Sequence, residues 1–157
     1  MIVKLYHSRL VLVKLALTLG LLVCYFYFMD SKIKVLMADD EANITNMAGA
    51  VLKDAGYEVV TASNGLEACE KALRERPDLI ILDRNMPVMD GIEACKKIRD
   101  TKGISGIPIV FLTGRDDDKE ILEGLRSGAE DYIIKPFNIA EFKKRVDEIL
   151  FKSGKAV

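Results

Sequence analysis

From residue 32 onward, short apolar runs alternate with segments whose apolar residues recur every three or four positions. Unbroken or alternating apolar runs predict strands, and a helical period predicts amphipathic helices. Ile33 to Ala38 predicts a first strand, with Lys32 and Lys34 at its mouth. Ile44, Met47, Val51, Leu52 and Ala55 predict a helix that Gly56 ends. Tyr57 to Ala62 predicts a second, more polar strand suited to a sheet edge, followed by a turn at Ser63-Asn64-Gly65. Leu66, Cys69 and Leu73 mark a second helix, stopped before Pro77. Leu79-Ile80-Ile81-Leu82 and Ile109-Val110-Phe111-Leu112 predict strands three and four, each buried on both faces. Between them, Ile92, Cys95 and Ile98 mark a third helix after Asp90-Gly91. Asp116-Asp117-Asp118 suits the positive end of a fourth helix, with Ile121, Leu122 and Leu125 as its inner face and Gly128 at its end. Tyr132-Ile133-Ile134 predicts strand five. Ile139, Phe142, Val146, Ile149 and Leu150 predict a last helix, with Glu141, Lys143, Lys144 and Glu148 outside.

Five strand–helix units in series predict an α/β fold, an open, doubly wound parallel sheet. The flavodoxin-like strand order 2-1-3-4-5 is the expected arrangement. No internal repeat, linker or second globular domain is evident, so the chain is expected to act without an output domain of its own.

Residues 1–29 follow another pattern. Lys4, Arg9 and Lys14 precede a run from Leu15 to Met29 that holds no charge, and Asp30 ends it. A spanning helix needs about 20 residues, which the run reaches only if Leu10 to Val13 join it and Lys14 snorkels. Two readings stand: a membrane-associated helix through residues 10–29, or upstream sequence read from a misassigned start, with Met29 opening the domain. A cleaved signal fits less well, because Tyr25-Phe26-Tyr27-Phe28 is a poor cleavage site. The expected organisation is a hydrophobic extension at 1–29 and one domain at 30–157.

Composition narrows the function. The net charge is -1 over 157 residues, with no basic field to suggest direct nucleic-acid binding. His7 is the single histidine and lies in the extension, which excludes histidine metal sites and Ser-His or Cys-His pairs from the main domain. Cys24, Cys69 and Cys95 are odd in number and match no zinc spacing. They read as reduced residues, Cys69 and Cys95 as small core side chains.

The strand ends carry the chemistry. Asp39-Asp40, Asp83, Thr113 and Lys135-Pro136 each follow an apolar run. In an open parallel sheet, ligands sit beyond the carboxyl ends of the strands. Three carboxylates would meet there, and two unit charges 4 Å apart cost about 4 kcal/mol at an effective dielectric near 20. A hard divalent cation such as Mg²⁺ (or Mn²⁺) and the Lys135 ammonium would relieve this. A carboxylate can attack phosphorus to form an aspartyl-phosphate, with cation and lysine neutralising the developing charge. Thr113 can donate to a phosphoryl oxygen, and Gly114 leaves room beside it.

These segments resemble the receiver domains of two-component response regulators over roughly residues 32–152. The motifs are Val35-Leu36-Met37-Ala38-Asp39-Asp40-Glu41, Leu82-Asp83-Arg84-Asn85-Met86-Pro87-Val88-Met89-Asp90-Gly91, Phe111-Leu112-Thr113-Gly114 and Tyr132-Ile133-Ile134-Lys135-Pro136-Phe137. The resemblance implies a cytoplasmic switch in which Asp83 accepts phosphoryl from a histidine kinase or histidine phosphotransferase. It implies Mg²⁺ held by Asp40, Asp83 and the backbone carbonyl of Asn85, with Asp39 acting largely through water. Lys135 and Thr113 would bind phosphoryl oxygens, and the Lys135-Pro136 bond would be cis, as is common in that family. Tyr132 matches an aromatic switch that turns inward when Thr113 moves. The face of helix four, strand five and helix five would then bind a downstream protein. Asn85 and Arg115 match variable positions that tune hydrolysis. Arg84 is a departure, a cation beside the acceptor, read as solvated. Two other readings remain: a haloacid dehalogenase-type phosphatase, which also uses an Asp nucleophile, Mg²⁺ and lysine, and a membrane-tethered receiver that docks without phosphorylation.

Overall fold

The computed structural model describes residues 32–114 and 118–155. Five strands form one parallel sheet: β1 (Lys34–Ala38), β2 (Glu58–Ala62), β3 (Leu79–Asp83), β4 (Ile109–Thr113) and β5 (Asp131–Ile134). The helices between and after them are α1 (Ala42–Asp54), α2 (Gly65–Glu75), α3 (Gly91–Asp100), α4 (Asp118–Arg126) and α5 (Ile139–Lys152). The sheet order is β2-β1-β3-β4-β5, as the sequence predicts, with β2 at one edge.

Every residue of β3 and β4 is buried, which follows from helices covering both faces of a central strand. Alternate residues serve separate cores. Leu36, Ile80, Leu82, Ile109 and Phe111 pack with residues of α2 and α3. Val35, Met37, Leu79, Ile81, Val110 and Leu112 pack with α1 and α5. Side chains close several helix starts: Asn64 caps α2, Asn138 caps α5, and Asp90 with Glu93 forms a reciprocal capping box on α3.

The stripes of α3 (Ile92, Cys95, Ile98) and most of α5 (Phe142, Val146, Ile149, Leu150) are buried as expected, but other predicted inner positions are not. Leu122 and Leu125 are 50% and 40% exposed, and Leu66, Leu73, Met47 and Ile139 are exposed as well. The inward positions are small residues instead: Ala68 and Ala72 on α2 and Gly124 on α4. A Cβ on Gly124 would lie 3.0 Å from the Phe111 ring, so the bulk of the strand residue sets the size of the helix residue above it. Cys69 and Cys95 are buried free thiols, pushed above the ordinary range by burial, as small core residues should be.

The hydrophobic extension, Arg115, Asp116 and Asp117 lie outside the described residues. Among the described residues, no helix is long and apolar enough to cross a membrane.

Candidate functional site

Parallel pairing of β1 with β3 sets Ala38 opposite Leu82, so the next residues, Asp39 and Asp83, meet at the carboxyl rim. Both are buried. The Asp39 N–H donates to the Ala62 carbonyl at 3.1 Å, and its Oδ1 accepts from the Glu41 N–H at 2.9 Å. The Asp83 Oδ2 accepts from the Asn85 N–H at 3.0 Å. Each carboxylate is therefore aimed by the backbone two residues further on.

Lys135 reaches them from the end of β5. Its Nζ donates to Asp39 Oδ2 and to Asp83 Oδ1, both at 2.7 Å, and lies 3.7 Å from Glu41 Oε1. The Lys135 N–H donates to the Thr113 carbonyl at 2.6 Å, and the Lys135-Pro136 bond is cis. Burial works against the Lys135 charge, but its hydrogen bonds to Asp39 and Asp83 outweigh it and raise the ammonium above its usual range. Burial is also the main influence on Asp83 and raises its carboxyl, although Lys135 pulls the other way. One ammonium does not satisfy so many carboxylates.

Asp40 is exposed, beside the buried pair. One oxygen from each of Asp39, Asp40 and Asp83 lies within 4.8 Å of the others. This all-oxygen set, with negative charge in excess over Lys135, fits a hard divalent cation. Asn85 is exposed at the start of the loop after β3.

Thr113 is buried at the end of β4. Tyr132 sits opposite Phe111 in register and is half-buried against the same core, so Thr113 and Tyr132 share one sheet face two positions apart. Among the described residues, nothing lies within 4 Å of the Cβ position at Gly114, in keeping with room beside Thr113. A cleft of about 380 Å³ opens next to Lys135, lined by Glu41, Ile44, Met47, Gly114, Pro136 and Phe137.

Arg84 is not a free solvated charge. Its Nη2 donates to Glu123 Oε2 of α4 at 2.6 Å, and its side chain is only 16% exposed. Neither this partner nor the approach of Glu41 to Lys135 follows from the sequence motifs. Both depend on distances across the rim that no local spacing encodes.

Residues 35–147 match the model of the response regulator receiver domain. The chain is 45% identical over 120 residues to the alkaline phosphatase synthesis transcriptional regulatory protein PhoP of Bacillus subtilis, covering 76% of this chain and 49% of that protein. A DNA-binding response regulator MtrA of Mycobacterium leprae is 39% identical over 113 residues, 72% of this chain and 49% of the relative. The chain thus spans about half the length of the curated relatives it matches. Among solved structures, the chemotaxis response regulator CheY4 of Vibrio cholerae is 40% identical with a TM-score of 0.73, covering 76% of this chain and 99% of that one. The receiver domain of the sensor histidine kinase PA1611 of Pseudomonas aeruginosa, solved with a magnesium ion in its active-site cleft, is 29% identical with a TM-score of 0.72, covering 77% and 99%. With the fold, the rim and these matches in agreement, the chain belongs to the receiver-domain family of two-component response regulators.

Proposed function

We propose that Asp83 is the phosphoacceptor of a phosphorelay and that the chain signals by protein–protein binding. One observation carries this reading: Lys135 bridges Asp83 and Asp39 at 2.7 Å, within a three-carboxylate rim. In the forward step an Asp83 oxygen attacks the phosphorus of a phosphohistidine on a histidine kinase or histidine phosphotransferase. The P–O bond forms, the P–N bond breaks, and its electron pair leaves with the imidazole, which takes a proton from solvent. Hydrolysis reverses the capture: water attacks phosphorus, the P–O bond to Asp83 breaks, and the carboxylate returns.

The Asn85 N–H orients Asp83 through Oδ2. Lys135 moves its hydrogen bond from Asp83 Oδ1 to a phosphoryl oxygen, and the Thr113 hydroxyl donates to another. Mg²⁺ or Mn²⁺, held by Asp39, Asp40, Asp83 and the Asn85 carbonyl, would neutralise phosphoryl charge when bound. Tyr132 follows Thr113 on their shared face and alters the surface of α4, β5 and α5, where a downstream protein binds. The receiver itself makes no direct nucleic-acid contact in this reading, and it works in the cytoplasm, where phosphohistidine donors are made. Its limits are 30–157, with 1–29 as a hydrophobic extension whose presence an intact mass of the natively expressed protein decides.

The test is phosphoryl uptake by the full chain from acetyl phosphate or phosphoramidate with Mg²⁺, read as intact mass and peptide mapping. One phosphoryl per chain on Asp83, absent in Asp83→Asn and abolished by chelator, is expected. Label that persists in Asp83→Asn removes the proposed acceptor. A wild-type chain that takes no label favours docking without phosphorylation.

A further inference from the structure

Arg84 directly follows Asp83, and its main chain is fixed on both sides. Its N–H donates to the Leu112 carbonyl at 3.1 Å, and its own carbonyl accepts from the Gly91 N–H at 2.9 Å. The side chain then leaves the rim and crosses to α4, where it meets Glu123 at 2.6 Å. The guanidinium side is well covered, whereas Glu123 is largely in water. A covered guanidinium has given up hydration and depends on protein acceptors.

The seating of α4 makes this contact matter. The described part of the helix, Asp118 to Arg126, is shorter than the roughly 12–15 residues that a helix needs to be stable alone. Its close approach to the sheet is Gly124 on Phe111, while Leu122 and Leu125 face outward. Among the described side chains of α4, Leu122 and Leu125 therefore add little apolar burial.

We propose that the Arg84–Glu123 ion pair is a tether that holds α4 to the acceptor strand and transmits a change of charge at Asp83 to that helix. The transmission half rests on Asp83 being the phosphoacceptor. A phosphoryl group adds negative charge and strong acceptor oxygens one residue from Arg84. The planar guanidinium fork suits phosphoryl oxygens at least as well as a solvated carboxylate. Phosphorylation therefore draws Arg84 away from Glu123 and loosens α4, carrying Leu122 and Leu125 with it. This route runs beside the one through Thr113 and Tyr132.

The experiment is hydrogen–deuterium exchange on the full chain, comparing wild type, R84Q, E123Q and the double variant R84Q/E123Q. Each is measured before and after acetyl phosphate with Mg²⁺, with Asp83 occupancy read by mass. Without phosphate, each single variant should raise exchange over 118–126 by about two- to fivefold, the range of a partly exposed ion pair. The double variant should match R84Q, because Glu123 has already lost this partner there. Exchange over Lys34–Ala38 stays at the wild-type level if the fold is intact. Phosphorylation should raise α4 exchange in wild type and add little in E123Q. Wild-type α4 exchange in both singles, or additive effects in the double, overturns the tether. An Asp83 that is labelled while wild-type α4 exchange stays unchanged overturns the transmission. A wild type that takes no label overturns the acceptor reading instead, and the unphosphorylated variants still decide whether the tether exists.

Discussion

Lys135 and Asp83 are 52 positions apart in the chain and 2.7 Å apart in space. The same Nζ lies 2.7 Å from Asp39, so one ammonium serves two buried carboxylates. Lys135→Met removes the cation and leaves both acids facing each other. In chelated protein this should cost about 2–3 kcal/mol in urea unfolding, below the ~3–5 kcal/mol of a fully enclosed pair because the rim admits water. Mg²⁺ should restore much of the loss, since the acids themselves remain. Asp83→Asn in chelated protein should lose nothing, because it removes one of the competing charges. A Lys135→Met protein that unfolds at the wild-type urea concentration would show that the bridge contributes no stability.

Glu67 provides a pH-dependent contact near the rim. Its carboxylate accepts from the Ser63 N–H at 2.7 Å and the Ser63 hydroxyl at 2.8 Å, and pairs with Lys71 at 2.6 Å. The Lys71 hydrogen bond, then those from Ser63, hold its carboxyl down from 4.5 to about 2. An acid depressed by folding stabilises fully above its unfolded value, and that stability is lost as pH falls through the folded value. The window is therefore 4.5 down to about 2. Glu67→Gln should lower stability at neutral pH by about 0.5–1 kcal/mol, a figure kept small by solvent exposure. The gap from wild type should close as unfolding curves are taken down to pH 2. A gap of constant size across that range would assign the effect to packing.

The strands and the rim residues were legible because both rest on strong local signals, whereas the strand order followed only from choosing the flavodoxin-like arrangement that five strand–helix units allow. Short apolar runs such as Leu79 to Leu82, set between helical segments, read as central strands, and the polar residue that ends each run then stands at the rim. Helix faces were harder to read. Leu122 and Leu125 look like an inner stripe by hydropathy, but Phe111 leaves room only for Gly124. Arg84 looked solvated because its partner, Glu123, is 39 residues away on a separate element. Patterns within one element carry no record of the bulk or charge that another element brings against it.

Val88 has φ +70 and is 79% exposed, in a turn closed by the Met89 N–H on the Pro87 carbonyl at 2.8 Å. A β-branched residue is strained at such a φ, and little packing offsets the strain. Val88→Asn should stabilise the fold by about 1 kcal/mol. Val88→Gly should gain less, because glycine also frees the unfolded chain. Chemical denaturation of the two variants beside wild type measures both. A loss of stability in Val88→Asn would mean that the valine side chain makes a contact worth more than the strain.

Gly91 links the stability of α3 to the shape of the acceptor loop. Its N–H donates to the Arg84 carbonyl at 2.9 Å, which brings the start of the helix against the end of β3. A Cβ there would run into the Asp83 carbonyl oxygen and lie 3.1 Å from Arg84 Cα. These are backbone atoms, so no side-chain rotation relieves the clash. Gly91→Ala should cost about 1–3 kcal/mol, the usual range for overpacking. It should also slow phosphoryl uptake from acetyl phosphate, because the atoms displaced belong to Asp83 and its neighbour. Gly106 is the control: among the described residues, nothing lies within 4 Å of its Cβ position. Gly106→Ala should be neutral or gain about 0.4–1 kcal/mol by restricting the unfolded chain. Unfolding midpoints and uptake rates of the two variants, measured side by side, separate local crowding at the acceptor from the general effect of losing a glycine. Equal behaviour of the two would mean that the β3–α3 junction yields without disturbing Asp83.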